Sequence, residues 1–278
     1  MSLKFKIGES ISNEDIVAAF KCSPQGGMRR SLAENALVII ANHTKGLYDD
    51  KWYGDEFHYT GMGKRGDQQL SRQNWTLAYS KDKNIEVHLF EVFDDTKWNK
   101  FIYQGLVELV GVPYQEDQLD EKNKLRKVYM FPLKLLNKDS AVDFHLINKC
   151  NEKKEIKARK YSKSALENLI KIKQKNKASY RTLQNTKYYV RNPLIVAYAK
   201  KRANGKCQLC GNYAPFRDKY GEPYLEVHHV IWLSQGGEDS IENTVALCPN
   251  CHRKMHILQN EQDIEHLKKC NEGVIYER

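Results

Sequence analysis

Residues 207–256 limit most what this 278-residue chain can fold into. Two Cys-x-x-Cys pairs, Cys207/Cys210 and Cys248/Cys251, bracket a His-His pair, His228/His229. Asn243 follows, then a His-x-x-x-His pair, His252/His256. Two such knuckles can offer four thiolates in tetrahedral geometry to one zinc ion. Zinc clamped there supplies folding free energy that so short a module lacks by itself. The four cysteines are therefore expected to hold a structural Zn2+.

The imidazoles need a separate reason. His252 and His256 are four apart, so on a helix they share a face. Two such rings can grip one divalent ion. Leu225-Glu226-Val227 reads as a strand with His228 at its end, which makes His228 the candidate third ligand. Strand alternation turns His229 the other way. A free imidazole beside a metal suits a general base that activates water. Asn243 is expected to accept a hydrogen bond from the second ring nitrogen of His229 and so hold the ring. The ion would neutralise charge on a phosphate oxygen and help the leaving group. Phosphodiester hydrolysis needs this set of groups.

Composition narrows the rest. The chain holds seven cysteines, an odd number, and four of them sit at metal spacing. Thiols in a reducing compartment suit metal better than disulfides. Cys22, Cys150 and Cys270 stand alone and read as small buried hydrophobes. No apolar run approaches the roughly 18 residues of a membrane span, and the first residues lack an apolar signal core. A cytoplasmic protein with no membrane contact is expected. Net charge is +10. Residues 149–191 hold fourteen Lys/Arg against three Asp/Glu, so the basic excess of the whole chain lies in that one segment. A polyanion contact explains such a concentration better than general solubility.

Upstream, the pattern is mostly β. A short strand is expected at Phe5–Ile7, then a helix capped by Ser12 or Asn13 with Ile16, Val17 and Phe20 on its apolar face. Ala36–Ile40, Glu56–Gly63, Asn74–Tyr79, Ile85–Phe93, Lys100–Val112 and Lys127–Leu135 read as strands, the second entering a glycine turn. Several short strands at this spacing indicate a small barrel or sandwich, placed at 1–137. Residues 138–190 read as a basic linker with one amphipathic helix at Ser162–Ile172. A helix from Pro193 to Arg202, capped by Asn192, leads into a C-terminal domain at 191–278.

Two family resemblances sharpen this reading. The His-His, Asn, His order between two zinc knuckles resembles an HNH, or ββα-metal, nuclease module. The text from Tyr188, Val190 and Arg191 through Tyr224–His229 to Ala246–His252 is similar to McrA-type modification-dependent restriction endonucleases. That resemblance implies His228, His252 and His256 as ligands of the catalytic ion, with His229 as base and Asn243 at the Asn position. The expected ion is Mg2+ or Mn2+. Further upstream, Tyr48-Asp49-Asp50, Gly54 and Phe57-His58-Tyr59-Thr60-Gly61-Met62-Gly63 resemble the SRA (YDG) family, which reads modified cytosine.

If such a domain flips its base, the pocket needs stacking faces and hydrogen-bond partners. Tyr48 and Tyr59 are expected to stack, and Asp50 to accept from the cytosine amino group. The amides of Thr60 and Gly61 are expected to meet the pyrimidine carbonyl. Arg29, Arg30, Lys64 and Arg65 are expected to touch phosphates. The resulting expectation is an α+β multidomain chain: an N-terminal PUA/SRA-like β-barrel and a C-terminal zinc-stapled ββα-metal (HNH) domain. It would be a DNA endonuclease acting on double-stranded DNA with 5-methyl- or 5-hydroxymethylcytosine, working as a homodimer. Two other readings are an HNH nuclease for unmodified or differently modified DNA, and a non-enzymatic zinc DNA-binding protein.

Overall fold

The computed structural model describes residues 4–44, 48–94, 100–122, 124–136, 142–173, 179–183 and 186–272. Residues 45–47 of the expected polar loop, and the expected boundary at 137, lie outside them. The chain forms two compact units. The first takes residues 1–151 and 179–188, the second 152–178 and 189–278.

The first unit opens with β1 (Ser10–Ile11) and α1 (Asn13–Phe20), followed by β2 (Met28–Ser31) and β3 (Ala36–Asn42). Next come β4 (Lys51–Gly54), β5 (Glu56–Thr60), α2 (Arg72–Ala78), β6 (Glu86–Val92), β7 (Phe101–Leu109), β8 (Tyr114–Leu119) and β9 (Leu125–Leu135). In chain order come helices α3 (Phe144–Ala158) and α4 (Lys163–Lys173), the latter in the second unit, and then strands β10 (Tyr180–Leu183) and β11 (Thr186–Tyr189). One mixed sheet runs β11-β10-β4-β5-β9-β7-β6-β3-β2, with β1 on β7 and β8 on β9.

β3 explains why its sequence is a continuous apolar run. Leu37, Ile39 and Ala41 enter one core with Phe57, Tyr59, Leu89 and Phe131. Ala36, Val38 and Ile40 enter a second core with Ile16 and Phe20 of α1. A strand buried on both faces loses the polar alternation of a half-exposed one. α1 itself starts where Ser12 accepts a hydrogen bond from the Asp15 amide, as its cap position requires.

Three expectations change here. Phe5–Ile7 is not a strand; the first pairing is Ser10 with Ile102. Asn74–Tyr79 is not a strand but part of α2, whose residues Asn74 and Leu77 are buried three apart on one helix face. Within the basic stretch 138–190, expected as a linker with one helix, the described residues also form α3, β10 and β11. After α4 the chain returns to the first unit, where β10 pairs parallel with β4, Tyr180 opposite Tyr53 and Arg181 opposite Gly54. Arg181 donates to Glu91, which is fully buried and also lies 2.8 Å from His43 Nε2 and 3.1 Å from Trp52 Nε1.

The second unit contains α4, α5 (Pro193–Ala203), β12 (Glu226–His229), β13 (Thr244–Leu247), α6 (Pro249–Leu258) and α7 (Glu261–Glu272). Asn192 caps α5 by accepting from the Leu194 amide at 3.0 Å, with Pro193 at the first turn. β12 and β13 form an antiparallel pair with His228 opposite Val245 and His229 opposite Thr244. Ala203, Leu225, Val245, Leu247, Met255 and Leu267 make the core beneath them. Among the described residues, no helix is long and apolar enough to cross a membrane.

Candidate metal centre and nucleic-acid interface

The four thiols converge as their spacing demands. Cys207 follows α5, and Cys248 is the N-cap of α6. The sulfur atoms of Cys207, Cys210, Cys248 and Cys251 all lie within 4.8 Å of one another. That is a cluster for one tetrahedral zinc. Cys22 and Cys150 are buried as expected, whereas Cys270 is exposed on α7.

The imidazoles converge as well. One ring nitrogen from each of His228, His252 and His256 falls within a second 4.8 Å cluster. α6 sets His252 and His256 one turn apart, with their Nε2 atoms 3.2 Å from each other. β12 brings His228 to them, its ring centroid 5.2 Å from His252 and 5.0 Å from His256. His228 is 2% exposed, and its Nε2 is sealed with no hydrogen-bond partner among the described residues. Burial, then the neighbouring imidazoles, lower its pKa to about 3, so the ring stays neutral. A buried, neutral nitrogen with no partner, facing two other imidazoles, fits a metal ligand. Glu226 Oε2 lies 2.5 Å from His252 Nδ1 and so turns His252 Nε2 inward. The Tyr224 hydroxyl in turn donates to Glu226 Oε1 at 3.1 Å. Glu226 is two residues from His228 on one strand, so alternation could have revealed it.

Asn243 does not contact His229, contrary to expectation. Its Oδ1 accepts from the Ile231 amide, and its Nδ2 donates to the carbonyls of Ile231 and Glu238, each at 2.8 Å. It staples the loop between β12 and β13. The His229 ring instead has its Nε2 2.8 Å from Asp239 Oδ1. Asp239 sits in a Gly- and Ser-containing loop with no periodicity, and nothing in the sequence marked it.

The first unit gathers Asp50, Thr60, Tyr48 and Gly61 in one region, with different partners from those expected. The Thr60 amide donates to Asp50 Oδ1 at 2.7 Å, and the Gly61 amide to the Tyr129 carbonyl at 2.8 Å. Both are thus already used inside the protein. A Cβ on Gly61 would meet Gln68 Oε1 at 2.7 Å and Asn74 Oδ1 at 2.8 Å, so a side chain there would displace two hydrogen-bonded groups. Burial pushes the Asp50 carboxyl up to about 7, in spite of the Thr60 hydrogen bonds, and Asp49 and Glu91 add to the effect. Tyr48 is half-buried, with the Arg126 guanidinium 5.8 Å from its ring centroid and its hydroxyl donating to the Gly63 carbonyl at 3.3 Å.

Tyr59 is not available for stacking. It is 4% exposed in the core, and its hydroxyl donates to the Gly27 carbonyl at 2.8 Å. Arg29 is buried and bonds the Gly26 carbonyl and Asn13, while Arg30 bonds Asn35 and the Ala36 carbonyl. Arg29 thus ties the loop before β2 to α1, and Arg30 serves the β2–β3 turn. Lys64 and Arg65 are exposed, and Arg65 pairs with Glu121 at 2.5 Å. Sequence reading missed Arg126 and Gln118. Gln118 Nε2 donates to Thr60 Oγ1 at 3.3 Å.

Three imidazoles on a strand pair and a helix, beside a four-thiol cluster, define a ββα-metal nuclease class for the second unit. Residues 207–257 match the family model described as HNH endonuclease. Residues 7–144 match the model described as ScoMcrA-like, SRA domain. The chain thus joins an SRA domain to an HNH endonuclease domain. Over 78 residues it is 51% identical to the type IV methyl-directed restriction enzyme EcoKMcrA of Escherichia coli (strain K12). That match takes in 28% of this chain and 28% of the E. coli protein. The structure of the type IV phosphorothioation-dependent restriction endonuclease ScoMcrA is similar in fold, with a TM-score of 0.53 and 19% identity. The likeness covers 98% of this chain and 63% of the ScoMcrA chain.

Proposed function

We propose that this chain is a modification-dependent DNA endonuclease. The SRA unit reads double-stranded DNA carrying a modified cytosine, and the HNH unit hydrolyses a phosphodiester with one divalent ion. His228, His252 and His256 hold that ion, and His229 takes the proton from the attacking water. The four cysteines hold structural zinc. The observation that carries the reading is the second 4.8 Å cluster, three imidazole nitrogens with a carboxylate behind one of them. When bound, the ion neutralises the phosphate oxygen and supports the leaving group. A set of three imidazoles favours a first-row transition ion over magnesium, so of the two ions expected manganese fits better.

Base reading rests on Tyr48 and on Asp50, which the Thr60 amide holds in place. Tyr48 supplies the one half-buried ring of the expected pair, and Asp50 an oxygen for the cytosine amino group. Lys64 and Arg65 lie exposed on the adjoining loop and suit phosphate contact. A cytoplasmic homodimer, one copy for each strand, completes the reading.

The test uses supercoiled plasmid with plain cytosine, 5-methylcytosine, 5-hydroxymethylcytosine or phosphorothioate linkages, with Mn2+ or Mg2+ added. The phosphorothioate arm is included because ScoMcrA is described as phosphorothioation-dependent. Cleavage of one cytosine-modified plasmid, lost in His229→Ala, is expected. A pure protein that never nicks any plasmid, with His229→Ala no different, leaves the zinc DNA-binding reading. Equal cutting of all four, unaffected by Asp50→Ala, removes the modified-base reading and leaves a nuclease of ordinary DNA.

A further inference from the structure

We infer that Asp239 is the positioning residue of the hydrolytic site: it holds His229 in one tautomer and makes Nδ1 the atom that takes the proton from water. The inference rests on the nuclease reading. It gives Asp239 a role that the sequence pattern assigned to Asn243.

The two ends of the His229 ring differ. Nε2 lies 2.8 Å from Asp239 Oδ1. A carboxylate can only accept, so a neutral ring in this contact carries its proton on Nε2. Nδ1 is then the bare, basic nitrogen. Among the described residues Nδ1 has no hydrogen-bond partner, and unlike His228 Nε2 it is not sealed from solvent. It therefore keeps contact with solvent although the side chain as a whole is 6% exposed. One end of the ring is anchored and the other is open to water. A base that must receive a proton from water needs that arrangement.

Asp239 is itself fixed. Its second oxygen, Oδ2, accepts from the backbone amide of Asn192 at 2.6 Å. Asn192 is the N-cap of α5, so the carboxylate bridges the start of that helix and the catalytic strand. An anion is also favoured at a helix N-terminus, so the carboxylate suits this position. Asn243 complements this by closing the loop on which Asp239 sits, through Ile231 and Glu238. Asn243 fixes the loop, and Asp239 fixes the ring. β12 ends at His229, so the loop that Asn243 closes begins directly after the base.

The experiment compares wild type, Asp239→Asn, His229→Ala and the double variant. Asn is nearly isosteric and can still accept from the Asn192 amide, but its NH2 can donate to Nε2 and so favour the opposite tautomer. Cleavage of 5-methylcytosine plasmid with Mn2+ is expected to fall ~10²–10⁴-fold in Asp239→Asn, by the logic of triads whose orienting carboxylate is lost. Zinc content, Mn2+ affinity and DNA affinity should stay within about threefold of wild type. The double variant should cut no more slowly than His229→Ala, since the two residues act as one unit. A role confined to folding would instead make the two losses multiply.

Nitrogen NMR of 15N-histidine-labelled protein at pH 8 supplies a readout independent of cutting. Wild-type His229 is expected as the Nε2–H tautomer, and Asp239→Asn should shift it towards Nδ1–H. Wild-type His229 found as Nδ1–H overturns the inference, even if Asp239→Asn fails to fold. So does full activity in Asp239→Asn, or multiplicative losses in the double variant. If wild type cuts no plasmid, the nuclease reading fails, and the tautomer of His229 still decides what Asp239 does.

Discussion

Single residues carry costs that their surroundings reveal. The Asp50 carboxyl is pushed up to about 7 by burial. Its unfolded value is about 3.9. Between those values the folded state binds more protons than the unfolded one, so stability falls as pH rises. The burden is absent below about pH 4 and complete above about pH 7. Asp50→Asn removes the charge but keeps an acceptor for the Thr60 amide. Its melting temperature should exceed wild type by several degrees at pH 8 and by almost nothing at pH 4.5, read by calorimetry in matched buffers. A gap equal at both pH values would mean that Asp50 is as well solvated as a surface carboxylate. This residue also shows what a sequence can disclose. Asp50 and Tyr48 stood out by motif, and the structure keeps both in one region. Tyr59 stood out by the same motif, yet strand alternation points it into the core, a fact that depends on register. Asp239 carries no local signal because its partners lie 10 and 47 residues away.

Among elements, β10 is the least foreseeable. Nothing in a Lys- and Asn-rich stretch announces a strand that returns to pair with β4, because its stabilisation comes from a distant carboxylate. Burial alone would push the Glu91 pKa up, but Arg181 and His43 outweigh it and hold it at about 2. That pairing stabilises the first unit fully above about pH 4.5 and is lost as pH falls toward 2. Arg181→Met breaks the pair and leaves the buried carboxylate with only His43 and Trp52 as partners, a loss on the order of 3 kcal/mol. The melting transition of the first unit should drop at pH 7, and the gap from wild type should narrow as the pH approaches 3. A constant gap would show that Arg181 acts through packing on Trp52, whose ring centroid is 4.2 Å from its guanidinium. α2 was missed for a related reason. Its apolar content suits a strand, and the helix is favoured only once Asn74 bonds both backbone groups of Met62. The strands and helices that were legible, such as β3, α1 and α5, carry their signals locally, in an apolar run or a cap.

At the scale of the molecule, two compact units predict two unfolding transitions. Only the second contains the thiol cluster. Stripping zinc with a strong chelator should abolish the transition of the second unit and leave that of the first within about 3 °C, because metal binding and folding are one event in so small a core. Loss of both transitions together would mean that the first unit depends on the second. The net charge of +10 is concentrated in the segment that includes α3, α4 and β10.

The path of the chain has one more consequence. Residues 152–178 leave the first unit and 179–188 come back to it before the chain departs again. A protease nick at the exposed turn between α3 and α4 therefore does not liberate a complete reader. The upstream fragment lacks β10, and the downstream fragment carries it away or stays bound through it. Parting the units cleanly takes two cuts, and shuffling them between proteins takes two matched junctions. A gene fusion made at residue 151 alone would inherit a reader whose Glu91 has lost its arginine.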